Sequence, residues 1–205
     1  ITNITCFDDK FDELMFASDV GPGNCLIDEW VRKNSKKKYD KNGFIAKSGK
    51  INKLILNQAL DNFGVSFNNS LDIKDFDISF ARGLSLEDGA ATITNFTAEI
   101  IATNLKKLLD KNKYNSGHNF FPNFIVCGGG RKNKYLMNLL SKNILEKIRY
   151  DKFEIIDEHN IDGDFIESQA FAFLAIRSIL KLPISFPKTT GCKKPCNGGI
   201  VVKNF

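Results

Sequence analysis

No apolar run in the 205 residues reaches the roughly 18 that a membrane-spanning helix needs. The opening ITNITCFDDKFDEL has neither the basic start nor the apolar centre of a secretory leader. A soluble, cytoplasmic chain with no membrane partner is therefore expected. Histidine is scarce, and neither His118 nor His159 stands at finger-like spacing from the Cys192-x-x-x-Cys196 pair, so no metal ligand set is assigned. The five cysteines are odd in number and scattered, in a chain too long to need staples, which reads as free thiols in a reducing compartment. A net charge of +5 falls short of a nucleic-acid-binding arm, and the lysines are not interleaved with aromatics in a stacking pattern, so no nucleic-acid partner is expected. Internal repeats, low-complexity segments and linkers are missing too, which leaves a single domain over residues 1–205. What is present, 42% hydrophobic and 26% charged residues, excludes whole-chain disorder.

Ile1 already lies inside a strand-like run, which reads as a cut end with an N-terminal part preceding it. ITNITCF and LMFASDV, separated by the polar DDKFDE, predict an opening β-hairpin. In CLIDEWVRKNSKKK, the residues Leu26, Ile27, Trp30 and Val31 share one helical face, and the lysines after it read as a solvated helix end. A second helix is predicted over GKINKLILNQALDNF, apolar at Ile51, Leu54, Ile55 and Leu60. The stretch VSFNNSLDIKDFDISFARG follows no single period. Ser85 and Asp88 resemble a capping box that opens a long helix, apolar at Ala90, Ile93, Thr97, Ile101, Leu105 and Leu108. After the polar KNKYNSGHN come a strand ending in three glycines, a helix over RKNKYLMNLLSKNILEKI, a short strand FEIID, and DFIESQAFAFLAIRSILKL, a helix apolar nearly all round. GGIVV adds a possible last strand. The order implies an α/β fold, a mixed sheet opened by a hairpin with helices on its faces.

Three segments carry chemistry. In Asp19-Val20-Gly21-Pro22-Gly23-Asn24, Pro22 presets one turn dihedral, Gly23 accepts the positive φ of a type II turn, and Asn24 can cap the helix that follows. Backbone N–H groups beside a helix N-terminus attract phosphate oxygens, yet an ordinary strand-to-helix turn has the same composition. Cys127-Gly128-Gly129-Gly130-Arg131-Lys132-Asn133 is neither a Rossmann fingerprint, whose last glycine is Asn133 here, nor a Walker A loop. Three residues without side chains would let a flat base or ribose lie against backbone; a mobile turn is the competing reading. Glu167 is a carboxylate in an apolar helix and either faces a polar pocket or complements the helix dipole from an exposed position.

The succession of these pieces resembles the C-terminal half of the anhydro-N-acetylmuramic acid kinases, within the superfamily of sugar kinases, actin and actin-like chaperones. The matching segments are ITNIT, SDVGPGNCLID, S-L-D-x-x-D-F at residues 70–76, DGAATITNFTA, CGGGRKNKYLM and IDGDFIESQAFAFLA, with the turn at Thr190 and Gly191 as a weaker addition. The resemblance implies an actin-like ATPase (ribonuclease H-like) fold and a C-terminal nucleotide-binding domain. It implies Asp19 as the catalytic base that activates water against the anomeric carbon of a 1,6-anhydro sugar. The freed 6-oxygen then takes the γ-phosphate of ATP, with Mg²⁺, giving N-acetylmuramic acid 6-phosphate in peptidoglycan recycling. Gly21, Gly23 and Asn24 are implied at the phosphates, Gly128, Gly129, Gly130 and Asn133 at adenosine, and Glu167 at the sugar.

The sequence also departs from the family. Val20 follows the aspartate where threonine is usual, Ser18 precedes it in place of an aromatic, and Asn68-Asn69 stand where a Pro-Lys pair is frequent. The family's first domain, with its own phosphate loop, is expected as a partner in cis or as a separate chain, and a homodimer is open to such a domain. A non-catalytic actin-like remnant that binds nucleotide or a protein is the alternative that these departures keep alive.

Overall fold

The computed structural model describes residues 1–7, 16–64, 70–112 and 121–202. The expected turn at 8–13, Asn68 and Asn69, and most of the polar loop with His118 lie outside them. The hairpin forms as β1 (Thr2–Cys6) and β2 (Phe16–Gly21), paired antiparallel. After it come α1 (Cys25–Asn34), a short α2 (Phe44–Ser48) and α3 (Lys53–Asn62). Two 3₁₀ turns, Ile73–Asp75 and Ser79–Ala81, occupy the stretch without a period and lead into α4 (Leu86–Lys111). Then follow β3 (Asn123–Val126), α5 (Lys134–Lys147), β4 (Lys152–Ile155), α6 (Ile166–Ile179) and the one-turn α7 (Pro187–Thr190).

The single mixed sheet expected from the sequence is not what forms among the described residues. β1 and β2 make one two-stranded antiparallel sheet, and β3 and β4 make a separate parallel one. β3 and β4 are joined through the crossover helix α5, and strands of four to six residues offer little edge for a further ladder. GGIVV is not a strand: Ile200, Val201 and Val202 have β propensity but no edge among the described residues to pair with, and stand exposed.

The core is organised by α4. Residues 89–109 of this helix are buried almost all round, and α1, α2, α3, α5 and β2 pack against it. Small residues make that possible. A Cβ on Gly89 would lie 2.1 Å from Trp30 Cζ2, so the glycine admits the indole, whose Nε1 donates to Leu86 O at 2.9 Å. Glycine inside a helix costs about 0.5–1 kcal/mol relative to alanine, and here the close approach of α1 offsets it. Thr92 and Thr94 return their hydroxyls to the Asp88 and Ala90 carbonyls, at 2.8 and 2.7 Å, and so bury without loss of hydrogen bonding.

The helix start differs from the expected capping box in one half. Ser85 Oγ accepts from Asp88 N at 3.1 Å, but the Asp88 carboxylate reaches out to accept from Lys50 N at 2.7 Å and ties the α2–α3 connection to α4. In α1 the predicted face of Leu26, Ile27, Trp30 and Val31 is the buried one. In α3 the apolar reading overreaches, since only Ala59 is buried and Leu54 is 79% exposed. The apolar α6 departs furthest from expectation: none of its residues is buried, and Phe171 is 64% exposed. Apolar composition drives burial only where a partner surface is present, and no described element covers this helix.

Gly89→Ala tests the central packing. Helix propensity alone favours alanine, whereas the Trp30 contact predicts a loss of roughly 1–3 kcal/mol from overpacking. Urea denaturation of the two proteins decides between these signs, and an alanine variant as stable as the native chain would refute the close-approach account.

Candidate functional site

Asp19 sits at a kink in the hairpin. Asn3 pairs with Asp19 while Thr2 pairs with Gly21, so Val20 is an extra residue in β2, a β-bulge. A bulge frees a backbone group from the ladder, and a buried free carbonyl is costly. Val20 is buried, and its carbonyl accepts from Asn104 Nδ2 of α4 at 3.0 Å. The side chain of Asp19 is fixed from the other side, because Leu71 N donates to its Oδ2 at 2.7 Å. Leu71 belongs to the S-L-D segment, so tertiary structure joins two motifs 52 residues apart.

Around Asp19 lies a cavity of about 410 Å³, lined on the hairpin side by Asn3, Thr5, Ala17 and Ser18. Ser70, Thr189, Thr190 and Gly191 close it. The lining is rich in hydroxyl, amide and carboxylate groups, suited to a polyhydroxylated ligand rather than an apolar one. The Thr-Gly turn thus comes to the aspartate, with Gly191 in left-handed geometry (φ +70°) ending α7. A larger cavity, about 510 Å³, lies over Phe63, Phe76, Phe80 and Phe96; Asp75 and Phe76 of the S-L-D-x-x-D-F segment line it, but none of the candidate catalytic, phosphate, adenosine or sugar residues does.

The glycines after Asp19 divide by role. Gly21 is buried, and a Cβ on it would stand 2.6 Å from Ile101 Cγ1, so this glycine lets β2 approach α4. Gly23 takes the anticipated positive φ, +59°. The turn itself is not the expected one: Cys25 N donates to Pro22 O at 3.3 Å, which makes Pro22 the first residue of the turn and Gly23 the second. Asn24 is a further correction. Its φ/ψ of −82°/−8° is already helical rather than extended, and its side chain makes no capping hydrogen bond. Its Oδ1 is instead buried with no hydrogen-bond partner among the described residues.

The triple glycine follows β3 and is open. Gly128 has φ +78°, and a Cβ on Gly128 or Gly129 would meet nothing within 4 Å. A Cβ on Gly130 would stand 3.9 Å from Asn24 Nδ2, so the two glycine-bearing turns are neighbours. A 3₁₀ turn, Gly129–Lys132, intervenes before α5. Asn133 is buried and its Oδ1 accepts from Leu136 N at 3.0 Å, which makes it the N-cap of α5; the Nδ2 donors take no part in that bond. Glu167 is exposed in the first turn of α6 and is not part of the Asp19 cavity lining, the arrangement expected of a carboxylate complementing the helix dipole.

Two residues not anticipated from the sequence organise this region. Asn104 was legible as the amide on the apolar stripe of Ile101, Leu105 and Leu108. Arg131 lies inside the glycine motif, and its buried guanidinium bonds to Asp157, Asp164 and the Gly128 carbonyl. The Arg131 fork holds the Asp157 carboxyl below its usual range, and Lys132, followed by Arg131, does the same for Asp164.

With this geometry in place, comparison with known proteins is informative. The family model for anhydro-N-acetylmuramic acid kinase matches residues 1–204. A protein of that name from Pelagibacter ubique is 51% identical over 208 residues, covering 100% of this chain and 53% of the relative. Namesakes from Zymomonas mobilis and Rhizorhabdus wittichii are 37% and 39% identical, covering 97% and 98% of this chain and 51% of each relative. The chain belongs to the anhydro-N-acetylmuramic acid kinase family. It spans about half the length of the curated relatives it matches.

The bulge supplies a test of its own. Asn104→Leu keeps the side-chain branching, at larger volume, but strands the Val20 carbonyl, a loss of roughly 1–3 kcal/mol. Thermal unfolding should show a Tm several degrees lower, and an unchanged Tm would mean that Asn104 does not carry the bulge.

Proposed function

We propose that this member of the anhydro-N-acetylmuramic acid kinase family is the nucleotide-binding, C-terminal part of a cytoplasmic ATP-dependent kinase with an actin-like, ribonuclease H-like architecture. Its substrate would be anhydro-N-acetylmuramic acid, hydrolysed at the 1,6-anhydro bond and phosphorylated on the 6-oxygen in peptidoglycan recycling. The observation that carries the reading is Asp19, held at a bulge by Leu71 N and facing a polar cavity beside the Thr-Gly turn. The half of the relatives that this chain does not match would supply the opposing side of the cleft, in cis or as a second chain.

The residues fit the groups this chemistry requires. Gly128 and Gly129 leave open backbone where a base or ribose can lie flat, and Gly23 turns the chain at the start of α1, whose N-terminus favours phosphate oxygens. The unpartnered Asn24 Oδ1 lacks a donor that a sugar hydroxyl or a water on Mg²⁺ could provide. Among the described residues no three metal-ligating side chains converge, so Mg²⁺ would enter with the phosphates and retain most of its water. ATP supplies the transferable γ-phosphoryl group. Asp19 takes the proton from a water as that water's oxygen bonds to the anomeric carbon. The bond from that carbon to O6 breaks, and O6 is freed as the acceptor. Leu71 N keeps the carboxylate oriented, and the protein's remaining work is to hold water, sugar and phosphate in line.

Asp19→Asn, placed in a protein comprising both halves, should abolish turnover yet keep ATP binding, because an amide cannot take a proton from water at neutral pH. Steady-state kinetics with calorimetry on the same sample tests this, and undiminished phosphorylation would return Asp19 to a turn residue. The 205-residue chain alone should show no phosphoryl transfer to the anhydro sugar, since half a cleft cannot exclude water. Turnover by the lone chain would refute the two-sided site. Gly129→Val should weaken ATP binding without lowering Tm, given the open space around that glycine; a fall in Tm matching the loss of affinity would instead support a plain structural turn.

A further inference from the structure

We propose that Arg131 is a positioning residue that joins the triple-glycine turn to the N-terminal end of α6, so that a ligand seated on the glycines also sets the place of Glu167. The proposal rests on reading those glycines as the nucleotide edge. Arg131 is the one buried lysine or arginine among the described residues, its side chain 3% exposed. Burying a guanidinium is costly unless its N–H groups are paired. Here Nε and Nη2 fork onto Asp157 at 2.5 and 3.0 Å, and Nη1 donates to Asp164 Oδ1 at 2.9 Å and to the Gly128 carbonyl at 3.1 Å.

These partners lie on three separate segments. Gly128 ends the β3 connection, Asp157 is in the 3₁₀ turn after β4, and Asp164 stands two residues before α6. The room is built in as well, because a Cβ on the buried Gly163 would lie 2.3 Å from Arg131 Nε. The α6 end is itself ordered by Asp162, whose carboxylate accepts from Asp164 N at 2.9 Å and whose carbonyl accepts from Phe165 N at 3.1 Å. Lys132 of the same turn also reaches Asp164, but among the described residues the Arg131 fork is the side chain that takes Asp157, Asp164 and the Gly128 carbonyl together. Lysine keeps the charge but cannot make the fork.

Hydrogen exchange of the 205-residue chain, read by mass spectrometry, tests the link. Asp164→Asn should speed amide exchange at residues 127–131 by about fivefold, the effect of weakening the two half-exposed charge-assisted bonds from Arg131 and Lys132, whereas Lys132→Met, which removes the second alone, should leave 127–131 near the native rate. Exchange at residues 136–140 of α5 should not change. Arg131→Lys should speed both 127–131 and 163–168. Adding ATP with Mg²⁺ should slow both segments in the native chain but only 127–131 in Arg131→Lys. The proposal is overturned if Asp164→Asn leaves 127–131 at the native rate, or if ATP slows 127–131 alone in the native chain. Should Arg131→Lys fail to fold, the exposed Asp164 variant still decides the link. If Asp164→Asn speeds the glycines but ATP slows neither segment, the joint stands and the nucleotide reading falls by itself.

Discussion

Everything that positions the site depends on how closely chain segments approach α4. A helix buried almost all round can have neighbours on every side only if some of its contacts are made by atoms no larger than Cα or Cβ. Gly89 admits Trp30, and Gly21 at the end of β2 admits Ile101. From that second contact the geometry of the aspartate follows. β2 is drawn onto α4, the register slips at Val20, and Asn104 takes up the carbonyl that the slip releases. Asp19, one residue earlier, is left facing the cavity with Leu71 N on its carboxylate.

A second centre lies around Arg131. There the chain brings together the open glycines, the 3₁₀ turn after β4 and the start of α6 through a single guanidinium. The two centres meet where Gly130 comes up to Asn24. Backbone without side chains thus does opposite work at two places. At Gly21 and Gly163 it is filled by a neighbour from the same chain, and at Gly128 and Gly129 the space beside it is open. Sequence cannot separate these cases, because a glycine reads the same whether the missing Cβ makes room for an isoleucine or for a ligand.

The uncovered α6 shows the limit of composition as a guide. Its apolar residues predict burial, yet Phe171, Phe173 and Ile176 are exposed, because burial needs a partner surface and no described element supplies one. The relatives are about twice as long as this chain. Glu167 shares that situation. In the first turn of an uncovered helix it has the geometry of a dipole-complementing carboxylate, and its part in any sugar site turns on elements beyond those that pack around Asp19.

The sequence by itself determined the helices with a clear period, the opening hairpin, the positive φ at Gly23 and, through the order of its motifs, the family. These are local properties, set by spacing, capping and side-chain volume within a few residues, or by a string of residues read in succession. Only the tertiary structure decided that the hairpin and the β3–β4 pair form separate sheets, and that Asn24 Oδ1 is buried without a partner among the described residues. It alone brought Thr190 and Gly191 to Asp19 and gave Arg131 and Asn104 their work. Those outcomes depend on which atoms meet across 50 or more residues of chain, or on whether a buried polar group finds its partner on another element. Residue type limits the choice of partner, and packing alone makes it.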